Sequence, residues 1–175
     1  QMQQMMQQLF NLDKLPEEHK LLPKILDNRG TSYERLKIWD KAERDLRHSL
    51  KLSPEQPYVL NYLAYSWLER KTNIDESYEM LEKANRLKKN DPYIMDSLGW
   101  AMYLTENYIE AEKFLRKAIE LMPQDPTIND HYADVLWKLK RDIQARYFWK
   151  YVLGLKAADS NLKEKINKKL IYGVL

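Results

Sequence analysis

The chain has 175 residues, 44% apolar and 31% charged, with 29 basic against 26 acidic side chains and a net charge of +3. That length and apolar share suit one folded domain or a short repeat array and exclude a disordered chain, and the near balance of charge leaves no footprint for nucleic acid. Without cysteine there is no disulfide framework, thiolate metal site or cysteine nucleophile, and the longest apolar run, residues 98–104, is far too short to insert into a membrane.

In chain order, the opening QMQQMMQQLF sets Met2, Met5, Met6, Leu9 and Phe10 at the i, i+3, i+4, i+7, i+8 spacing of one helix face. Residues 1–22 are read as this amphipathic or capping helix with its linker, punctuated by Pro16. From residue 23 the chain repeats itself. The small residues Gly30, Ala64, Gly99 and Ala133 are spaced 34, 35 and 34; Ala42, Ser77, Ala111 and Ala145 are spaced 35, 34 and 34. Ser49, Ala84, Ala118 and Val152 repeat the 35, 34, 34 series. The three series agree if one extra residue sits in the turn around Lys71, Thr72 and Asn73. They divide the chain into repeats 23–56, 57–91, 92–125 and 126–158, each predicted to be two amphipathic helices, A and B, joined by a short turn. Small residues recur where helix axes must approach within about 8–10 Å. Pro57, Pro92 and Pro126 fall at the first turn of an A helix, where a missing N–H costs least. Trp39, Trp67 and Trp149 are expected in the core. Residues 159–175 read as a C-terminal capping helix: Leu162, Ile166 and Leu170 form a stripe, Asp159 or Ser160 can cap its start, and Gly173 can stop it.

Chemistry has few places to reside. In INDHYADVLW, His131 lies between Asp130 and Asp134, a cluster that suits a metal site, an acid/base pair or a packed helix. Only two further histidines exist, His19 and His48; there is no HExxH, no GxSxG and no glycine-rich phosphate loop. A catalytic or metal role for these residues is the weakest reading, and no cofactor is expected. Basic clusters such as residues 86–89 and 163–169 alternate with acids at helical spacing, as solvated faces do.

The 34-residue pattern resembles the tetratricopeptide repeat family. The third repeat carries it most fully, with Met95, Leu98-Gly99, Met102, Ala111, Leu115, Ala118 and Pro123. The first has Leu26, Gly30, Tyr33, Ala42, Leu46 and Pro54, with Arg29 where the pattern has Leu; the second has Leu60, Leu63-Ala64, Trp67, Leu81 and Ala84; the fourth has Tyr132-Ala133, Leu136, Ala145, Trp149 and Val152. The resemblance implies an all-α fold: a right-handed superhelix of about four helix-turn-helix repeats with N- and C-terminal capping helices. It also implies a concave groove lined by set A-helix positions, carried here onto Tyr58, Asn61, Tyr65, Tyr93, Asp96, Trp100, Tyr103, Asp130, Asp134 and Trp137. Such a groove holds a peptide or helix of a partner protein and performs no catalysis. Some relatives clamp a C-terminal carboxylate with Lys and Arg. This groove is acidic and aromatic, which favours a partner bearing basic and apolar side chains. The second reading is a self-assembly element, oligomerising through the Met-rich N-terminal helix or the convex face. The runs DSLGWAMYL, INDHYADVLWKL and ARYFWKYVL also resemble the last repeats of bacterial members of the family, which leans the compartment toward the bacterial envelope, with the cytoplasm as alternative.

Overall fold

The computed structural model describes residues 20–174; the Met-rich stripe of residues 2–10 and His19 lie outside the described residues. Among these, nine α-helices and no strand are found, in pairs: α1 (Leu22–Arg35) with α2 (Trp39–Leu52), α3 (Pro57–Glu69) with α4 (Ile74–Leu87), α5 (Pro92–Leu104) with α6 (Tyr108–Leu121), and α7 (Pro126–Lys138) with α8 (Asp142–Gly154). A last helix, α9 (Ser160–Tyr172), follows and packs on α8. No described helix is long and apolar enough to cross a membrane.

Local chemistry explains where the helices begin. Asp91 and Asp125 sit in extended backbone and accept hydrogen bonds from the amides of residues 93 and 94, and 127 and 128, respectively. The proline that follows each supplies the first helical residue, which needs no partner for an N–H it lacks. Asp159 caps α9 in the same way through the Leu162 amide. The turn inside each pair has three residues, except that residues 70–73 make four in the second, where the spacings place an extra residue. Every such turn is closed by a non-glycine residue with positive φ: Lys37, Lys71 and Asn73, Glu106, and Lys140.

The repeated small residues are where the two helices of a pair meet. A Cβ on Gly30 or Gly99 would stand 2.7 Å from Cγ of Leu46 or Leu115. The leucine side chain therefore lies directly on the partner helix backbone. Ala64 and Ala133 fill the same slot in the other repeats, fully buried. Trp67 and Trp149 are fully buried as well. Trp39 departs from its expected place: it is only half-buried at the start of α2, and the Arg70 guanidinium lies 4.7 Å from its ring centre. A residue on the first turn of a helix has no preceding turn to bury it, so the ring is covered from outside by a cation.

Each odd-numbered helix from α1 to α7 also packs on the next odd-numbered one. This inner row makes the concave face of an all-α helical-repeat superhelix, and the even helices form the outer layer. The main apolar core runs unbroken from Ala64 and Leu81 through Leu98, Leu115 and Leu136 to Trp149 and Ile166 on α9. The first repeat joins through a separate cluster of Leu46, Val59, Leu63 and Trp67. Its own interior holds an ion pair: Arg29 donates to both oxygens of Asp45 at 2.5 and 2.9 Å, and both residues are buried.

Candidate binding groove

Four residues recur at the same level of the inner row: Asp27, Asn61, Asp96 and Asp130, spaced 34, 35 and 34. Most take a partner by a different route. Asp27 accepts from Lys24 Nζ at 2.9 Å on its own helix. Asp96 Oδ1 lies 2.8 Å from Nδ1 of His131 on the next inner helix. Asp130 accepts from Lys169 Nζ of α9 at 2.7 and 2.9 Å, and Asp134 Oδ2 accepts from the same nitrogen at 2.8 Å. Asn61 is the exception, because its Oδ1 is buried and has no hydrogen-bond partner. A buried acceptor left without a donor costs about 1–3 kcal/mol.

Eight of the ten residues singled out from the sequence fall into two groups. Tyr103, Asp130, Asp134 and Trp137 belong to a closed end of the groove, where α9 covers the last three. Tyr103 is buried, and its ring stacks on Trp100 at 4.5 Å between centroids; Trp100 also stacks on His131 at 4.1 Å. Asp134 Oδ1 also accepts from the Trp149 indole at 3.1 Å. Trp137 is covered by Gly173, whose φ of 76° stops α9 and where any Cβ would overlap the indole. The guanidinium of Arg146 lies over the Trp137 ring and donates to the Leu170 carbonyl, so α9 is held from both sides.

Electrostatics at this end follow from burial against charge. Burial alone would lower the His131 imidazole, but the charge and hydrogen bond of Asp96, with Asp130 and Asp134 nearby, hold it above its ordinary value. Burial and the adjacent Asp130 carboxylate push Asp134 up to about 6 in spite of Lys169. Lys169 is lowered by burial yet raised overall by the two carboxylates.

Asn61, Tyr65, Tyr93 and Asp96 belong to an open part of the groove. With Tyr62, Ser97, Asp125, Thr127 and Ile128 they line a concave cleft of about 210 Å³ on the inner helices α3, α5 and α7. Two carboxylates and three tyrosines line it, and no lysine or arginine does. Tyr93 is 49% exposed. Burial, then the charges of Glu69 and Asp96, raise the Tyr65 phenol far above its ordinary value, so it stays a neutral hydroxyl. Tyr58 is exposed too, but its hydroxyl donates to Asp91 at 3.0 Å and its ring carries Lys88 at 4.3 Å, which ties it to the turn before α5. Sequence reasoning passed over Tyr62, whose hydroxyl donates to Glu34 at 2.5 Å across α1 and α3, and over Lys169. The repeat register does carry a signal for the latter: Ser66, Ala101, Val135 and Lys169 are spaced 35, 34 and 34.

The Asp130–His131–Asp134 cluster is held as structure. His131 turns its Nδ1 to Asp96 and both aspartates turn to Lys169. Among the described residues no group of three or more His, Cys, Asp or Glu is placed to hold a metal ion.

No family model matches the chain. A TPR repeat-containing protein of Pseudomonas aeruginosa is 33% identical over 89 residues, a match that covers 51% of this chain and only 15% of that protein's length. Among solved structures, PilW, a type IV pilus biogenesis factor, superposes with a TM-score of 0.76 at 20% identity, over 96% of this chain and 78% of its own. The first TPR of Spaghetti, solved with an HSP90 peptide bound, superposes with a TM-score of 0.64 at 16% identity, over 70% of this chain and 96% of its own. With its 34-residue period carried on four stacked helix pairs, the chain has the all-α helical-repeat fold of these tetratricopeptide repeat proteins.

Proposed function

We propose that this chain is a protein-interaction module that holds a segment of a partner protein in the open cleft of its concave face, without catalysing a reaction. The single observation that carries the reading is Asn61. Its neighbours at the same level each have a donor, whereas its Oδ1 faces none, and Asn61 itself lines the cleft, so a rotation of its amide would present the oxygen to a bound segment. A bound backbone N–H or a lysine ammonium would supply that donor and remove the desolvation cost. Tyr93, Tyr62 and Tyr65 offer wide, stiff contact surfaces that lose little entropy on binding, the kind of anchor around which interfaces concentrate their energy. Asp96, although its Oδ1 is engaged by His131, and Asp125, whose Oδ1 caps α7, are the charged groups in the lining and favour a segment with Lys or Arg beside apolar residues. The fold is also one in which the Spaghetti domain holds a peptide.

Selection from a random peptide display library on the immobilised chain tests this. The expected binders carry Lys or Arg next to aliphatic residues. They bind the Asn61→Leu and Tyr93→Ala variants at least roughly tenfold more weakly, a loss of about 1.4 kcal/mol each. Enrichment of acidic peptides, or binders indifferent to both substitutions, would overturn it.

A further inference from the structure

The outer layer carries a surface that the groove does not explain. On α8 the side chains of Ile143, Tyr147 and Tyr151 recur at i, i+4 and i+8 and stand 87%, 65% and 38% exposed. The equivalent slots of the earlier outer helices show how unusual this is. Where α8 has Tyr147, the others have Arg44, Glu79 and Lys113; where it has Tyr151, they have His48, Lys83 and Lys117. At the level of Ile143 they have Asp40, Asp75 and Ile109, and Ile109 is itself 65% exposed. The same backbone position, facing the same way, is thus charged or polar in three repeats and aromatic in the fourth. Fold maintenance does not account for the change, because the charged residues serve it equally well. A contiguous apolar stripe on an outer helix is what a docking face requires. The stripe is also stiff: the Tyr147 ring stands edge-on to Phe148, with centroids 5.4 Å apart.

We propose that this face of α8 binds residues 2–10 of a second copy of the chain. That segment has the matching chemistry. Met2, Met5, Met6, Leu9 and Phe10 have the sequence spacing of one helix face, and residues 1–12 hold no charged side chain to desolvate. Methionine adapts its shape to aromatic surfaces and gains from sulfur–ring contact. The glutamines between the methionines would face water. A second copy suits the span better than the same chain. Three repeats at about 10 Å each separate α1 from α7, roughly 30 Å. The nine residues 11–19 reach that only when drawn out fully, at about 3.4 Å per residue. Between two copies the exchange can be reciprocal and close into a dimer, or run head to tail. The interaction leaves the groove free, so a chain that failed to capture any peptide would not count against it.

The absence of cysteine makes the test clean. A Met6→Cys protein mixed with a Tyr147→Cys protein under mild oxidation should yield a disulfide between the two. Met6→Cys mixed with Arg44→Cys, the same slot on α2, should not. In sedimentation equilibrium the unmodified chain should associate with rising concentration. Tyr147→Lys with Tyr151→Lys should weaken that association at least roughly tenfold, and so should Met6→Glu with Phe10→Glu. The lysines are the residues α6 carries at these slots, so folding is retained, as a thermal melt will verify. A chain monomeric at all concentrations would overturn the proposal. So would Tyr147→Cys pairing with itself, which means outer face on outer face, or Met6→Cys pairing only with itself.

Discussion

Arg29 and Asp45 stand where the other repeats place an apolar pair: Leu63 with Met80, Leu98 with Phe114, and Tyr132 with Phe148. Both are buried, at 3% and 1% exposure, so each charge has given up its water for the other. Bidentate geometry recovers much of that cost, and Arg44 adds a further donor to Asp45 at 3.1 Å. A pair of this kind is weak evidence for stability, since an apolar pair of similar volume does as well or better, whereas a lone buried charge is very costly. Arg29→Leu alone should therefore lose about 3–5 kcal/mol. Adding Asp45→Met, which restores the second repeat's pairing, should return the protein to wild-type stability or above. A double-mutant cycle in urea measures this; a double variant as unstable as the single would mean that the pair holds the repeat in shape by more than its charge.

The docking of α9 shows how one element depends on protonation elsewhere. Lys169 on α9 faces Asp130 and Asp134 on α7, with His131 between them and Asp96 behind. Asp134 sits at about 6 in the folded protein, above its ordinary carboxylate value. Such a group contributes stability that is fully present below about pH 4 and is lost as pH rises through about 6. His131, raised by Asp96, acts in the same direction at higher pH, its contribution present below its ordinary 6.5 and lost above its raised value. The Asp134→Asn variant keeps an acceptor for the Trp149 indole but has no proton to release. Its melting temperature relative to wild type should therefore move in the variant's favour between about pH 4 and about pH 7. A constant difference across that range would mean that Asp134 titrates as an ordinary carboxylate. Glu43, lowered mainly through Arg47 and Trp67 against its own burial, has the opposite dependence and is common to both proteins, so it cancels in the comparison.

Across the whole molecule, what could be read from sequence was whatever the repeat had to reproduce at each step. Gly30, Ala64, Gly99 and Ala133 were legible because a helix pair cannot close over a larger side chain, and Pro92 and Pro126 because a helix start tolerates them. The neighbours of the groove residues were not legible in that way. Asp130 is neutralised from 39 residues further on, by a lysine of α9 whose slot holds Ser66, Ala101 and Val135 in the earlier repeats, so no earlier repeat announces a cation there. Tyr62 escaped because it bridges two inner helices from a level the repeat leaves variable. The same one-dimensional logic governs stability. Each repeat is held by its neighbours, so total stability is a sum of local and interface contributions. These are unequal here: one apolar core joins the second repeat to α9, while the first is attached by a smaller cluster and is centred on an ion pair. Opening should therefore begin at the first repeat. In native-state hydrogen exchange, the protected amides of α1 and α2 should exchange through a partial opening that costs less free energy than the opening of α5 to α8. The Arg29→Leu change should lower that first step and leave α5 to α8 unaltered until global unfolding. Equal free energies along the whole array would show instead that the interface between the first two repeats is as strong as the core beyond it, and that the array unfolds as one unit.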